Sequence, residues 1–135
     1  MGSELGILGL YGLVVIVTIL AQLLAAQAQV GLEMLVKPRD DMPKLTGVAG
    51  RMDRAQLNSI VAMALFAPAV LILANKGLAT GTTLLAAQVF LIARILYVPI
   101  YAAGLPWVRT LVWLAGFLAT AWLYFAGFGA AVAAA

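Results

Sequence analysis

The chain has 135 residues, 65% of them hydrophobic and 10% charged, with 8 basic against 5 acidic side chains and a formal net charge of +3. It contains no cysteine and no histidine, which excludes disulfides, thiolate nucleophiles, imidazole bases and the common zinc and haem ligands. Soluble domains are about 45–50% apolar and about 25% charged, so this composition is that of a membrane protein. The basic excess collects in one connecting segment, where topology explains it better than nucleic-acid binding does.

The length suits a single domain over 1–135, an all-α integral membrane bundle of four transmembrane helices at about 20 residues each. The first apolar block runs from about 5 to 30. Met1 to Glu4 has no positive n-region, and the block is longer than the roughly 7–15 residues of a signal-peptide core, so it is expected to be a retained span despite the small residues at Ala26 and Ala28. Gly6, Gly9 and Gly12 near its start favour close helix contact. Gln22, Gln27 and Gln29 occupy its second half, and an amide facing lipid is costly, so at least one of them is expected to face a partner helix. The polar stretch that follows, with Lys37, Arg39, Asp40, Asp41 and Lys44 among Pro38, Pro43, Gly47 and Gly50, reads as a loop over about 33–51.

The second span covers about 52–74 and carries Pro68, which removes one backbone hydrogen bond near its middle. Asn75, Lys76 and Gly77 form a short turn. A third span over about 82–103 contains Arg94, Tyr97, Pro99 and Tyr101, and Pro99 leaves the carbonyl of Ile95 without its usual donor. Gly104 to Pro106 makes a second tight turn. The fourth span covers about 108–128, with Trp107, Trp113, Trp122 and Tyr124 toward its ends as interfacial aromatics, and Gly127 to Ala135 reads as a frayed tail.

The first loop holds Lys37, Arg39 and Lys44, with Arg51 and Arg54 close behind, whereas the second holds only Lys76. The positive-inside rule therefore puts the first loop in the cytoplasm and both termini outside. Arg51, Arg54, Asn58, Tyr97, Tyr101 and Arg109 are then expected to converge in the cytoplasmic half, with Arg94 deepest.

Arg94, Tyr97 and Tyr101 fall at i, i+3 and i+7, on one helix face. A charged residue inside a span costs about 2.5–3.5 kcal/mol on insertion scales, so something must offset Arg94. One reading is an anion site, since a guanidinium offers a planar fork of donors to carboxylate or phosphate. The other is pairing with an internal acid or snorkelling toward headgroups, although the last three spans contain no acid except Asp53 at an edge. Tyr97 and Tyr101 are either interfacial anchors or part of that site. Arg54 and Asn58 share a face, and an unpaired amide at Asn58 is expensive inside a span. Arg51 reads as a positive-inside residue, and Arg109 as either a juxtamembrane anchor or a functional cation. No phosphate loop, carboxylate pair or metal-ligand spacing is present. Gly116 and Thr120 fit helix packing.

Two segments resemble the MAPEG family, the membrane-associated proteins in eicosanoid and glutathione metabolism, and look closest to its small bacterial members. The first is Arg54-Ala55-Gln56-Leu57-Asn58. The second is Arg94-x-x-Tyr97-x-x-x-Tyr101-x-x-Gly104 with Pro106-Trp107-x-Arg109-Thr110 and Trp113. The resemblance, over about 51–113, implies four-helix protomers that assemble as homotrimers in a bacterial inner membrane and bind glutathione. It implies that Arg54, Asn58, Arg94, Tyr97 and Tyr101 line the glutathione site and that Arg109 stabilises the thiolate, for transfer to, or peroxidase chemistry on, lipophilic small molecules. The family motif Arg-Ala-x-x-Asn-x-x-Glu ends here in Val61, which can neither accept a hydrogen bond nor balance an ammonium. No histidine or second arginine accompanies the motif, and Trp113 stands where some members have tyrosine. The alternative is a non-catalytic trimeric scaffold or lipid-binding protein that has lost the glutathione site. A transporter is disfavoured, because four short spans without an internal repeat leave little material for alternating access.

Overall fold

The computed structural model describes residues 3–134, with side chains described through Gly129. Within these residues five α-helices follow one another: α1 (Glu4–Val30), α2 (Leu32–Val36), α3 (Gly47–Lys76), α4 (Gly81–Ala103) and α5 (Pro106–Ala134), with one turn of 3-10 helix at Arg39–Asp41. Among the described residues, α1, α3, α4 and α5 are each long and apolar enough to cross a membrane, and the chain is an all-α integral membrane protein.

Local chemistry sets the ends of these helices. The Ser3 hydroxyl accepts from the Gly6 N–H at 3.0 Å and caps α1. Gly77 closes α3 and Gly104 closes α4, both in the left-handed conformation, at φ 64° and 78°, that glycine adopts without a Cβ penalty. Thr80 and Thr83 exchange side-chain and backbone hydrogen bonds at the start of α4, and Pro106 opens α5 at the position where its missing N–H costs nothing.

Three features differ from the sequence expectation. The third helix starts at Gly47 rather than near 52, because Gln29 of α1 fixes Thr46 just before it. The Gln29 Oε1 accepts from the Thr46 N–H, and its Nε2 donates to the Thr46 hydroxyl, both at 3.1 Å. The connecting segment is not all loop, since Leu32–Val36 is helical, with Glu33 and Lys37 in an exposed i,i+4 pair at 3.1 Å. Instead of fraying at Gly127, α5 continues through the alanine-rich tail to Ala134, alanine being the strongest helix former; Ala135 lies outside the described residues. Pro68 and Pro99 stay inside continuous helices. The Tyr124 hydroxyl donates to the Leu65 carbonyl, next to the Ala64 carbonyl that Pro68 leaves without a backbone donor.

In the bundle α1 packs on α3 and α4, while α5 packs on α4 and, less extensively, on α3. The centre is aromatic. Phe66 and Phe90 stack at 3.9 Å between centroids, and Tyr11 meets Phe90 edge-on at 4.8 Å. Ile7, Val70, Leu73 and Leu123 close around them. Aliphatic residues on the outer faces of α1 and α3, such as Leu13, Ile16, Val17, Leu57 and Leu71, are exposed, as lipid-facing residues are.

Two glycine substitutions separate tight from open positions. A Cβ at Gly50 would lie 2.7 Å from the Leu45 carbonyl oxygen, whereas one at Gly9 meets nothing within 4 Å. Gly50→Ala is expected to lower the thermal unfolding midpoint in detergent. Gly9→Ala should leave the midpoint unchanged or raise it, since replacing a helical glycine by alanine gains about 0.5–1 kcal/mol where space allows.

Candidate functional site

Arg94 lies on the inner face of α4 and is only 2% exposed. Its Nη1 donates to Asn58 Oδ1 at 2.8 Å and its Nη2 to Ser59 Oγ at 3.1 Å. The guanidinium stacks over the Tyr97 ring, 4.2 Å from its centroid. Gly116 of α5 covers the aliphatic stem, where a Cβ would sit 3.6 Å from Arg94 Cδ. The charge is thus held by neutral acceptors and a ring, and no carboxylate reaches it. Among the described residues the only ion pair is Glu33 with Lys37, far along the connecting segment. Arg94 Nε is buried and has no acceptor.

Ser59 links this group to the rest of the bundle. Its hydroxyl donates to the Ala55 carbonyl at 2.8 Å, and its own carbonyl accepts from the Tyr11 hydroxyl of α1 at 2.8 Å. Neither residue stands out by the spacing that marks Arg94. The available signal was physical, because a tyrosine well inside an apolar span needs a partner for its hydroxyl, and Ser59 follows Asn58 toward the same helix interface.

Toward the α4–α5 turn a second cluster forms on Tyr101. Arg54 Nε donates to its hydroxyl at 3.1 Å. The guanidiniums of Arg109 and Arg54 lie 4.7 Å and 5.9 Å from its ring centroid, and Tyr97 meets it edge-on at 5.5 Å. Arg51 is used differently: its Nε donates to the Ala102 carbonyl at 2.9 Å and so secures the end of α4, satisfying one of the carbonyls that a helix end leaves free.

Clefts open on these groups. One of about 250 Å³ is lined by Arg54, Asn58, Tyr97, Tyr101, Arg109, Thr110 and Trp113. Asn58 and Trp113 also line a narrower one of about 130 Å³ between α3 and α5, which includes Val61, Leu65, Phe90, Arg94 and Phe117. A third, of about 250 Å³, lies by Arg51, Arg54, Gly104 and Arg109. No acid lines any of the three. Asp53 belongs to a separate cleft of about 440 Å³ under the connecting segment, together with Gln22, Arg39 and Lys44. There the Gln22 amide donates to it at 3.5 Å, so Gln22 and Gln29 bond other elements while Gln27 remains exposed.

The structure therefore brings Arg54, Asn58, Tyr97, Tyr101 and Arg109 around one opening and sets Arg94 behind it, joined through Asn58. Chemically the arrangement is a donor-rich, cation-lined recess, suited to carboxylates or to another anion. Arg109 stands in the first turn of α5, where the helix dipole adds positive potential.

The MAPEG family model matches residues 6–129, nearly the whole chain. No curated protein and no solved structure matches it.

The Asn58–Arg94 bond is open to a double-mutant cycle. Asn58→Ala is expected to destabilise the detergent-solubilised protein by about 1.5–3 kcal/mol, the usual worth of a hydrogen bond to a charged group. In an Arg94→Met background the same change should cost little. Equal losses in both backgrounds, measured by thermal or denaturant unfolding, would show that the two residues are not coupled.

Proposed function

Because the chain belongs to the MAPEG family, we propose that it is a membrane-embedded, glutathione-dependent transferase or peroxidase acting on lipophilic electrophiles. The observation that carries this reading is the pair of guanidiniums, Arg54 and Arg109, gathered on one tyrosine with no acid in the cleft. Like charges held together in this way call for an anion between them. Glutathione brings two carboxylates and a thiol that ionises. Arg54, Asn58, Tyr97 and Tyr101 bind and orient the tripeptide, and Arg94 holds Asn58 and Tyr97 in place from behind.

Arg109 and the N-terminal turn of α5 favour the charged form of the sulfur and so raise the thiolate fraction at neutral pH. In the transferase reaction the thiolate lone pair forms a carbon–sulfur bond as the electrophile's leaving group departs, or as a strained ring opens and its oxygen takes a proton. In the peroxidase reaction the thiolate attacks a peroxide oxygen, the O–O bond breaks and an alcohol leaves; the resulting sulfenic acid reacts with a second glutathione thiol, giving the disulfide and releasing its oxygen as water. The lipophilic substrate arrives laterally from the bilayer. Homotrimeric assembly in a bacterial inner membrane, with the connecting segment cytoplasmic and both termini outside, completes the reading.

A second reading is a non-catalytic trimeric scaffold or lipid-binding protein in which Arg94 and Arg109 hold a phospholipid headgroup. Val61 favours it, since a valine at that position removes a ligand group at no cost to packing.

Titrating the detergent-purified protein with glutathione should give a saturable thiolate absorbance. Arg109→Ala should abolish most of that signal and lower turnover of an activated aryl chloride by about 10²-fold, the usual cost of one charge-stabilising donor. Losing a cation raises the thiol pKa toward its free value of about 8.5, so the half-maximal rate should move to higher pH. Absence of a saturable signal, or one that Arg109→Ala leaves intact, would sink the enzymatic reading in favour of the lipid-binding one. For the topology, a membrane-impermeant maleimide applied to intact cells should label a Ser3→Cys variant and spare Lys44→Cys; the reverse pattern would invert the orientation.

A further inference from the structure

The cleft of about 440 Å³ under the connecting segment takes no part in the proposed glutathione chemistry. Apart from Arg54, none of its lining residues belongs to the recess around Tyr101. The segment arches over it and is fixed at its far end, where Gln29 clasps Thr46 through two hydrogen bonds of 3.1 Å. Pro38 and Pro43 restrict φ along the arch, and at its base Gly50 packs so closely on the Leu45 carbonyl that a Cβ would lie 2.7 Å away. The cleft is therefore preformed, and its volume falls in the range of small-molecule sites, about 300–1,000 Å³.

Its walls carry both signs of charge, and the two are not paired with each other. Asp53 is half-buried there, and the one side-chain hydrogen bond it accepts among the described residues comes from Gln22 at 3.5 Å, too long to satisfy a carboxylate. No cation pairs with it, Glu33 with Lys37 being the only ion pair among the described residues. Arg39 and Lys44 line the same cleft, exposed and likewise without an ionic partner. Leu23 of α1, Leu35 of α2, Met42 and Leu45 make the wall apolar between them. Beside the cleft Leu24, Leu32 and Val36 are exposed. Apolar side chains kept out of the protein belong in lipid, and the neighbouring cations in water, so the cleft sits at the level of the headgroups. A ligand that matches it needs an anion for Arg39 and Lys44, a hydrogen-bonding cation for Asp53 and an apolar tail. An anionic headgroup without an amine leaves Asp53 unanswered, and a quaternary amine has no N–H to donate. We propose that the cleft is a phosphatidylethanolamine site, with the phosphate on Arg39 and Lys44, the ammonium on Asp53 and the upper acyl carbons against Leu23 and Leu35. The site is separate from the recess around Tyr101 and stands whether or not the chain binds glutathione.

Native mass spectrometry of the full chain in detergent tests it, with titrations of phosphatidylethanolamine, phosphatidylglycerol and phosphatidylcholine of the same acyl composition. The ethanolamine lipid is expected to bind at least about tenfold more tightly than either of the others, the worth of one charge-assisted hydrogen bond. Asp53→Asn should remove that preference, whereas Arg39→Gln combined with Lys44→Gln should weaken phosphatidylethanolamine and phosphatidylglycerol alike. Equal affinities for the three lipids, or a preference that Asp53→Asn leaves in place, would overturn the proposal. Soluble glycerophosphoethanolamine displacing the lipid at equal concentration would overturn it too, assigning the cleft to a free phosphoethanolamine compound. If Asp53→Asn does not fold, the pair of changes at the exposed Arg39 and Lys44 locates the site in its stead, and an unchanged affinity for phosphatidylethanolamine there contradicts the assignment.

Discussion

A guanidinium cannot be left bare among apolar helices, and the way Arg94 is satisfied organises the centre of this protein. At 2% exposure it has no recourse to water, so its donors must be met by the helices around it. Asn58 and Ser59 of α3 meet two of them, and the Tyr97 ring takes the face of the charge. Ser59 passes the connection to α1 through the Tyr11 hydroxyl. The absence of a side chain at Gly116 lets α5 lie on the arginine stem. Arg94 of α4 thus binds α3 and α5 directly and α1 through Ser59, beside the aromatic cluster of Tyr11, Phe66 and Phe90.

The same residue joins the fold to the recess. By holding Asn58 and Tyr97 it fixes part of the wall of the cleft in which Arg54 and Arg109 share Tyr101. No buried carboxylate neutralises these charges, and in a low-dielectric setting such a field is little screened. An anionic ligand relieves it, which is why the electrostatics and membership of the MAPEG family point in one direction. Arg51 shows that arginine at this end of the bundle is not always part of the recess, since its Nε is used to tie off α4.

Much of this was legible from residues alone. The four spans followed from hydropathy and length, and Arg94 stood out because a charge inside a span is costly. Helical spacing correctly put Tyr97 and Tyr101 on its face. What remained hidden depended on contacts between distant parts of the chain. The early start of α3 at Gly47 depends on Gln29, 17 residues before Thr46, and periodicity carries no trace of such a pairing. For Arg94 the residues alone offer an anionic ligand, an internal acid or snorkelling, whereas its partners within the chain are an amide, a hydroxyl and a ring. Tyr11 carries no signature among the glycines of α1, because its role is a single bond to a backbone carbonyl. The helical end of α5 was legible in its alanines, but their small size suggested fraying more than their propensity suggested helix.

On the proposed reading the recess around Tyr101 holds a thiol peptide with its sulfur at Arg109, which a structure determined in lipid nanodiscs after incubation with glutathione would reveal. Tripeptide density should fill the cleft between Arg54, Tyr97 and Arg109, with a carboxylate on Arg54 and the sulfur within hydrogen-bonding distance of the Arg109 guanidinium. A phospholipid headgroup bound at those arginines in the presence of saturating glutathione would contradict it.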